Sequence, residues 1–232
     1  MSDLILIRHG QSVWNAANRF TGWTDVELSE VGVSEAEEAG RSLSSHRIDV
    51  VHTSDLTRAQ RTAEIIMSLN ESSEGYSTKF DWRLNERNYG SLQGLNKAET
   101  AEKFGAEQVH IWRRSFDVAP PDGESLEMTA ERTIPYFEEE VLPDLQAGKG
   151  VLVSAHGNSL RSIVMHIENI SPEDIVCPWK YRLVLPCSTS SRVERSVEPV
   201  EWDLGRGGPA PVELHEAKAQ SYACNREGEL PC

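Results

Sequence analysis

The chain has 232 residues, 38% of them hydrophobic and 26% charged, enough to bury the core of one α/β domain with or without a tail. Its formal net charge of −14 argues against nucleic acid and anionic membranes as partners, so any anionic ligand must be held by a local cluster of Arg and Lys. No apolar run approaches the roughly 18–20 residues that cross a bilayer, and the start Met1-Ser2-Asp3-Leu4 has no basic stretch leading into an apolar one; together these predict a cytoplasmic protein.

The first apolar run, Leu4 to Ile7, reads as a strand buried on both faces, and it ends at Arg8-His9-Gly10. A capping-box pattern at Ser34-Glu35-Ala36-Glu37 predicts a helix running through Leu43. Asp49 to Thr53 reads as a second strand. Asp55 is then placed to cap a helix whose apolar stripe is Ala59, Ala63 and Ile66. Leu126, Ala130, Ile134, Phe137 and Val141 mark a longer helix, bent at Pro135. Val151 to Ala155 is the clearest strand; it ends at His156-Gly157, and a helix through Ile163 and Ile167 follows. Strands alternating with helices predict an α/β fold, a largely parallel sheet with helices on both faces and ligands bound beyond the carboxyl ends of its strands. The stretch from Gly205 to Pro211 is rich in Gly and Pro and reads as irregular.

Two of these strands end in His-Gly, and a glycine there lets backbone approach a ligand. A nucleophilic histidine must be neutral, and nearby guanidinium groups disfavour its protonated form. Arg8 adjoins His9, Arg58 opens a helix, Arg113 and Arg114 form a pair, and Lys97 lies upstream. Arginine grips phosphate through two parallel charge-assisted bonds, so together these residues describe a phosphate pocket within an acidic protein. Glu86 is the candidate proton donor, provided burial or a neighbouring anion raises its pKa; taken alone it reads more simply as a surface carboxylate paired with Arg87. His9, His52 and His156 could in principle bind metal, but the chain has no H-x-x-x-H or H-E-x-x-H spacing, and the expectation is no metal. His46, His110, His166 and His215 have no motif around them and read as structural or exposed. The four cysteines, Cys177, Cys187, Cys224 and Cys232, show no C-x-x-C spacing.

Residues 5–24, ILIRHGQSVWNAANRFTGWT, closely resemble the opening of the cofactor-dependent phosphoglycerate mutases of the histidine phosphatase superfamily. So do TSDLTRAQRTA (53–63), LNERNYGSLQGLNKAETAEKFG (84–105), WRRSF (112–116), PPDGESL (120–126) and SAHGNSLR (154–161). The resemblance covers about residues 3–176. RHG alone marks the superfamily; the LNERNYGSLQGLNKAE string with the Arg pair points to the mutase branch. It implies that His9 is the phosphorylated nucleophile, that Arg8, Arg58 and His156 hold the phosphoryl group, and that Glu86 is the general acid/base. It further implies that Ser12, Asn15, Thr21, Gly22, Tyr89, Lys97, Arg113, Arg114, Gly157 and Asn158 bind the phosphoglycerate. The implied chemistry is interconversion of 2-phosphoglycerate and 3-phosphoglycerate in glycolysis and gluconeogenesis, primed by 2,3-bisphosphoglycerate, without metal. The partner is a small phosphorylated acid, and a homo-oligomer is left open. Near Pro121-Asp122-Gly123 the chain has the short form of the family, which argues against an assembly relying on the longer insert.

After Ile175-Val176 the resemblance stops, where the family continues with a segment like EIPTG-x-P-L-x-Y-E-L. Joining the third base of each codon to the first two of the next lets Cys177 through Ser190 read PLEIPTGVPLLYEL. Residues 177–232 are therefore expected to be a frameshifted, poorly ordered tail beside a catalytic domain of residues 1–176, leaving a strand missing and a sheet edge exposed. Two other functions share the same residues: a phosphatase that passes the phosphoryl group to water, and a non-catalytic regulatory protein on the same fold.

Overall fold

A computed structural model describes residues 2–176 and 183–187. Five strands form one sheet: β1 (Ser2–Arg8), β2 (Val50–Thr53), β3 (Ser77–Phe80), β4 (Val151–Ala155) and β5 (Leu183–Cys187), in the order β3-β2-β4-β1-β5. The first four run parallel, and β5 is antiparallel to β1. The helices are α1 (Val13–Ala16), α2 (Glu30–Ser42), α3 (Thr57–Ser68), α4 (Lys97–Phe104), α5 (Ala106–Arg114), α6 (Leu126–Tyr136), α7 (Leu142–Gln146) and α8 (Gly157–Glu168).

Side chains alternate along each strand, so the continuous apolar runs of β1 and β4 feed two cores. Leu4, Leu6, Val151 and Val153 pack on one face with Tyr136, Val141, Leu145, Leu160 and Ile163, drawn from α6 to α8. Ile5, Ile7, Val51 and Leu152 pack on the other with Leu43, Ala63, Ile66 and Met67, from the end of α2 and from α3. Helices thus cover both faces of the sheet. None among the described residues is long and apolar enough to cross a membrane.

Several local expectations are corrected. The α2 helix begins at Glu30, ahead of the Ser34 pattern, because the Ser29 hydroxyl accepts from the Gly32 N–H and caps it. Asp55 does not cap α3. Asp25 does so from a distant loop, accepting from the Thr57 N–H at 2.8 Å and its hydroxyl at 2.6 Å. The long helix predicted to bend at Pro135 is broken just after it, by a π-helical turn at Phe137–Val141 that leads into α7.

The bare sheet edge expected beyond residue 176 is covered. Leu183–Cys187 pairs along β1 from Ser2 to Leu6, with Pro186, which has no N–H to donate, on an edge strand that tolerates it. Residues 177–182 and 188–232, where the rest of the expected disordered tail falls, lie outside the described residues.

Candidate active site

In the β1–β4 register Arg8 stands opposite Ala155, so the next residue of each strand, His9 and His156, leaves the sheet side by side. The His9 N–H continues the ladder to the Ala155 carbonyl at 3.0 Å, and the two imidazole centroids lie 4.9 Å apart. Between β1 and β4 the chain also reverses its direction of winding: from β1 it crosses to β2, and from β4 it passes through α8 to β5. That switch point is where doubly wound sheets open a crevice. Thr53 pairs with Ser154, so β2 delivers Ser54 to the far side of His156, with Ser54 Oγ 2.7 Å from His156 Nε2.

His9 Nδ1 lies 2.7 Å from the Gly10 carbonyl; a carbonyl only accepts, so Nδ1 carries the proton and Nε2 keeps its lone pair. Burial, then the charges of Arg8 and Arg58, hold His9 far below the usual histidine range, against the opposing Gly10 bond. His156 is lowered likewise by burial and by His9, Arg58, Arg8 and Arg132. Both rings are neutral at physiological pH.

The two glycines do different work. A Cβ on Gly10 would lie 2.2 Å from the Gly32 carbonyl oxygen, so this glycine serves the packing of backbone on backbone and not ligand approach. A Cβ on Gly157 would meet only Arg8 Nε and Glu86 Oε2, each at 3.7 Å. Gly157 therefore opens α8 between the candidate phosphate ligand and the candidate acid.

Arg58 is fully buried and donates to the carbonyls of Thr24 at 3.0 Å and Gly22 at 2.7 Å, which ties Gly22 to the site. Burial lowers it to about 10, so it stays charged at neutral pH. Its Nε has no partner. Among the described residues the same is true of six other buried polar atoms: Thr21 Oγ1, His46 Nδ1, Thr53 Oγ1, Arg87 Nε, His156 Nδ1 and Arg161 Nε. Buried polar groups are ordinarily paired, and the arginine donors of this set fit a polyanion such as a phosphorylated acid.

Glu86 is not the surface partner of the Arg87 side chain. Its Oε1 accepts from the Arg87 backbone N–H at 2.8 Å and from Asn158, through the backbone N–H at 3.1 Å and the amide at 2.9 Å. Burial raises the carboxyl, but these bonds and the charges of Arg8 and Arg58 outweigh it, so the pKa falls below the ordinary glutamate range. The raised pKa expected of a proton donor is not present in this state of the site.

Tyr89 packs on Phe20 with centroids 5.1 Å apart, and Lys97 sits over the same Phe20 ring. Burial raises Tyr89, but Arg87 and Arg113 bring it below its usual value; burial and then Arg113 lower Lys97. Arg113 and Arg114 end α5, where cations complement the helix dipole. Ser12 and Asn15 bond to each other across the first turn of α1, with Ser12 fully buried, so their recorded contacts are those of a helix cap.

Residues 4–198 match the histidine phosphatase superfamily (branch 1). The chain belongs to that superfamily. Among its members, a protein from Protochlamydia amoebophila (strain UWE25) named 2,3-bisphosphoglycerate-dependent phosphoglycerate mutase is 50% identical, over 76% of this chain and 89% of the relative. One of the same name from Cytophaga hutchinsonii is 54% identical over 75% and 81%. A solved mycobacterial glucosyl-3-phosphoglycerate phosphatase, in complex with VO3, superposes with a TM-score of 0.70 at 26% identity, covering 80% of this chain and 91% of that one.

Four residues of this histidine phosphatase site escaped the sequence reasoning. Arg161 follows Gly157 by one helical turn, a spacing that places both near one face of α8. Arg87 adjoins Glu86 but turns its guanidinium to Tyr89 Oη and the Arg113 carbonyl. Ser54 lies within the TSDLTRAQRTA string, which assigned it no role, and Arg132 comes from a segment with no motif signal of its own: it bonds the carbonyls of Arg83, Asn85 and Glu86 from α6.

Proposed function

We propose that the chain is a 2,3-bisphosphoglycerate-dependent phosphoglycerate mutase working through a phosphohistidine at His9. The observation that carries this is the neutral, buried His9, whose Nδ1 bond to Gly10 leaves the lone pair on Nε2, beside His156 and among Arg8 and Arg58. Priming is attack of Nε2 on a phosphoryl group of 2,3-bisphosphoglycerate: the N–P bond forms as the P–O bond breaks, and Glu86 gives a proton to the departing oxygen. In the forward half-reaction the C2 hydroxyl of 3-phosphoglycerate attacks that phosphorus. Its proton passes to Glu86, and the N–P electron pair returns to the imidazole. After the bisphosphorylated intermediate turns over, the C3 phosphoryl group moves to His9 and Glu86 protonates the C3 oxygen.

Glu86 must therefore change state within one cycle. In the unliganded site the Arg87 and Asn158 bonds, helped by the charges of Arg8 and Arg58, keep it ionised, so the proton it gives in priming is taken up as 2,3-bisphosphoglycerate binds. A bound phosphate dianion offsets those two charges and leaves only the Arg87 and Asn158 bonds against burial, which raises the carboxyl toward holding the proton. Arg113, Arg114, Lys97 and Tyr89 would grip the far end of the acid and retain the intermediate. That retention separates a mutase from a phosphatase, and the roughly 50% identity to proteins named as mutases supports it.

A coupled assay with 3-phosphoglycerate, with and without 2,3-bisphosphoglycerate, tests the proposal while phosphate release is followed in parallel. Isomerisation that depends on primer is expected; predominant phosphate release overturns it in favour of a phosphatase. His9→Ala must abolish both turnover and acid-labile labelling. We also propose that the residues after Val176 arise from a frameshift. Resequencing that region decides this, and a frame-restored chain in the same assay measures what the altered tail does to activity.

A further inference from the structure

We infer that Ser54 is a positioning residue that fixes the proton of His156 on Nδ1, so that His156 presents an N–H to the phosphoryl group carried by His9. The inference rests on the phosphohistidine reading and adds to it a residue that acts through His156.

Three adjacent strand ends set the geometry. β1, β4 and β2 release His9, His156 and Ser54 in one row, and the middle ring is held between the other two. The Ser54 hydroxyl is fully buried, so its single proton needs an acceptor within the protein. Its oxygen already accepts from the Leu56 N–H at 3.2 Å. The group 2.7 Å away is His156 Nε2. If Nε2 kept the imidazole proton, the serine proton would be buried with nothing to receive it, at a cost of about 1–3 kcal/mol. With the hydroxyl donating to Nε2, every atom of the pair is satisfied except Nδ1.

That remaining atom is buried and makes no hydrogen bond in the protein, although the capping turn of α8 brings the Ser159 N–H up to the same side chain. On a neutral ring accepting at Nε2 it must be N–H. An N–H donor on the ring that packs 4.9 Å from His9 suits an oxygen of a phosphoryl group on His9 Nε2. An unprotonated Nδ1 would instead turn a lone pair toward that oxygen and repel it. The first turn of α8 holds the backbone here: the His156 N–H reaches Ser159 Oγ at 3.2 Å, and that hydroxyl donates back to the His156 carbonyl.

The test is the tautomer itself, read by long-range 15N–1H correlation spectra of the full chain without substrate. His156 signals are assigned by their loss in His156→Gln. The expected pattern is a protonated Nδ1 with a bare, hydrogen-bonded Nε2; in Ser54→Ala the Nε2 shift moves and the two tautomers mix, and Ser54→Thr restores the original pattern. In parallel, kcat and the rate of His9 phosphorylation should fall about 10-fold or more in Ser54→Ala with KM nearly unchanged. A wild-type spectrum with the proton on Nε2 and Nδ1 turned to the Ser159 N–H would overturn the inference, as would a Ser54→Ala chain with unaltered spectrum and kcat. Should Ser54→Ala fail to fold, the wild-type spectrum and Ser54→Thr still decide. The spectrum does not depend on the phosphoryl acceptor, so a chain that proves to be a phosphatase leaves this test standing on its own.

Discussion

Asn158 donates twice to the same oxygen of Glu86, from its backbone N–H at 3.1 Å and from its side-chain amide at 2.9 Å. The first turn of any helix leaves N–H groups without internal partners, and here the α8 helix uses a carboxylate from a distant loop to satisfy one. Both bonds favour the ionised form of Glu86, so under the proposed mechanism the proton it carries is tuned in part by a helix terminus. Asn158→Ala removes one of the two and keeps the other. The Glu86 pKa should rise, and the limb of the kcat/KM profile that reports it should move to higher pH. A profile measured between about pH 4 and 9 checks this, and an unmoved limb means that Glu86 is not the group seen.

The loop that carries Glu86 is held from behind by Arg132. Its guanidinium forks onto Glu124 at 3.0 and 2.9 Å and donates to the carbonyls of Arg83, Asn85 and Glu86 at 2.8 to 3.0 Å. It also lies under Trp23 and Trp82. Arg132→Met leaves Glu124 and three carbonyls short of their donor. Breaking such a buried pair from one side costs about 3–5 kcal/mol. The expected result is a drop in Tm of several degrees or more and a loss in kcat larger than any change in KM, because Glu86 loses its position and not its charge. Thermal melts and steady-state kinetics on the same preparation check both parts.

Acid should destabilise the fold through His52. This ring is buried between the Tyr136 hydroxyl at 2.8 Å and Asp144 at 3.2 Å, with Lys79 and Lys149 gathered on the same carboxylate. Burial and then Lys79 lower it to about 4, against the help of Asp144 and Glu140. The unfolded chain therefore binds more protons than the folded one between about pH 6.5 and 4, so the stability is fully present above that window and is lost as pH falls through it. The loss from this group is on the order of 3 kcal/mol. His9 and His156 act with the same sign, while Asp144, lowered to about 2 chiefly by its bonds to Lys149 and Lys79 working against burial, adds its own loss only below the ordinary aspartate range. Tm followed from about pH 7.5 to 4.5 should fall steeply in the natural chain and less steeply in His52→Gln.

What the sequence disclosed and what it concealed follow from the range of each interaction. The strands β1 and β4, their His-Gly ends and the covered parallel sheet were legible because apolar runs and strand–helix alternation are local patterns. One cap was misread because the capping group came from elsewhere, since nothing near Thr57 announces that Asp25 will reach it; the other was a choice between two local serines, and Ser29, not Ser34, caps the helix. The pKa of Glu86 was misjudged because its lowering is set by bonds that exist only in the fold: the adjacent Arg87 N–H turned onto the carboxyl, joined by Asn158 from 72 positions away. Ser54 and Arg132 were invisible as site residues because each acts through a neighbour placed by the sheet. The strand Leu183–Cys187 came from a segment with no period-2 signal, and pairing along an existing edge asks little of sequence beyond backbone hydrogen bonds.

Arg161 should reveal a conflict between stability and function. It is 7% exposed, its Nε has no partner, and burial together with the charges of Arg114 and Arg87 pushes its pKa down, only partly opposed by Glu86. A buried cation among cations is a poor arrangement for a fold on its own and a good one for a fold that binds a polyanion. Arg161→Met keeps much of the volume and removes the charge. The protein without substrate should melt at the same temperature or higher, while KM for 3-phosphoglycerate rises about 10-fold, the scale of one charge-assisted hydrogen bond of roughly 1.5–3 kcal/mol. Phosphorylation of His9 by 2,3-bisphosphoglycerate should weaken with it. A variant that melts lower yet binds 3-phosphoglycerate as before would make Arg161 a packing residue, and isothermal titration beside the melt separates the two outcomes.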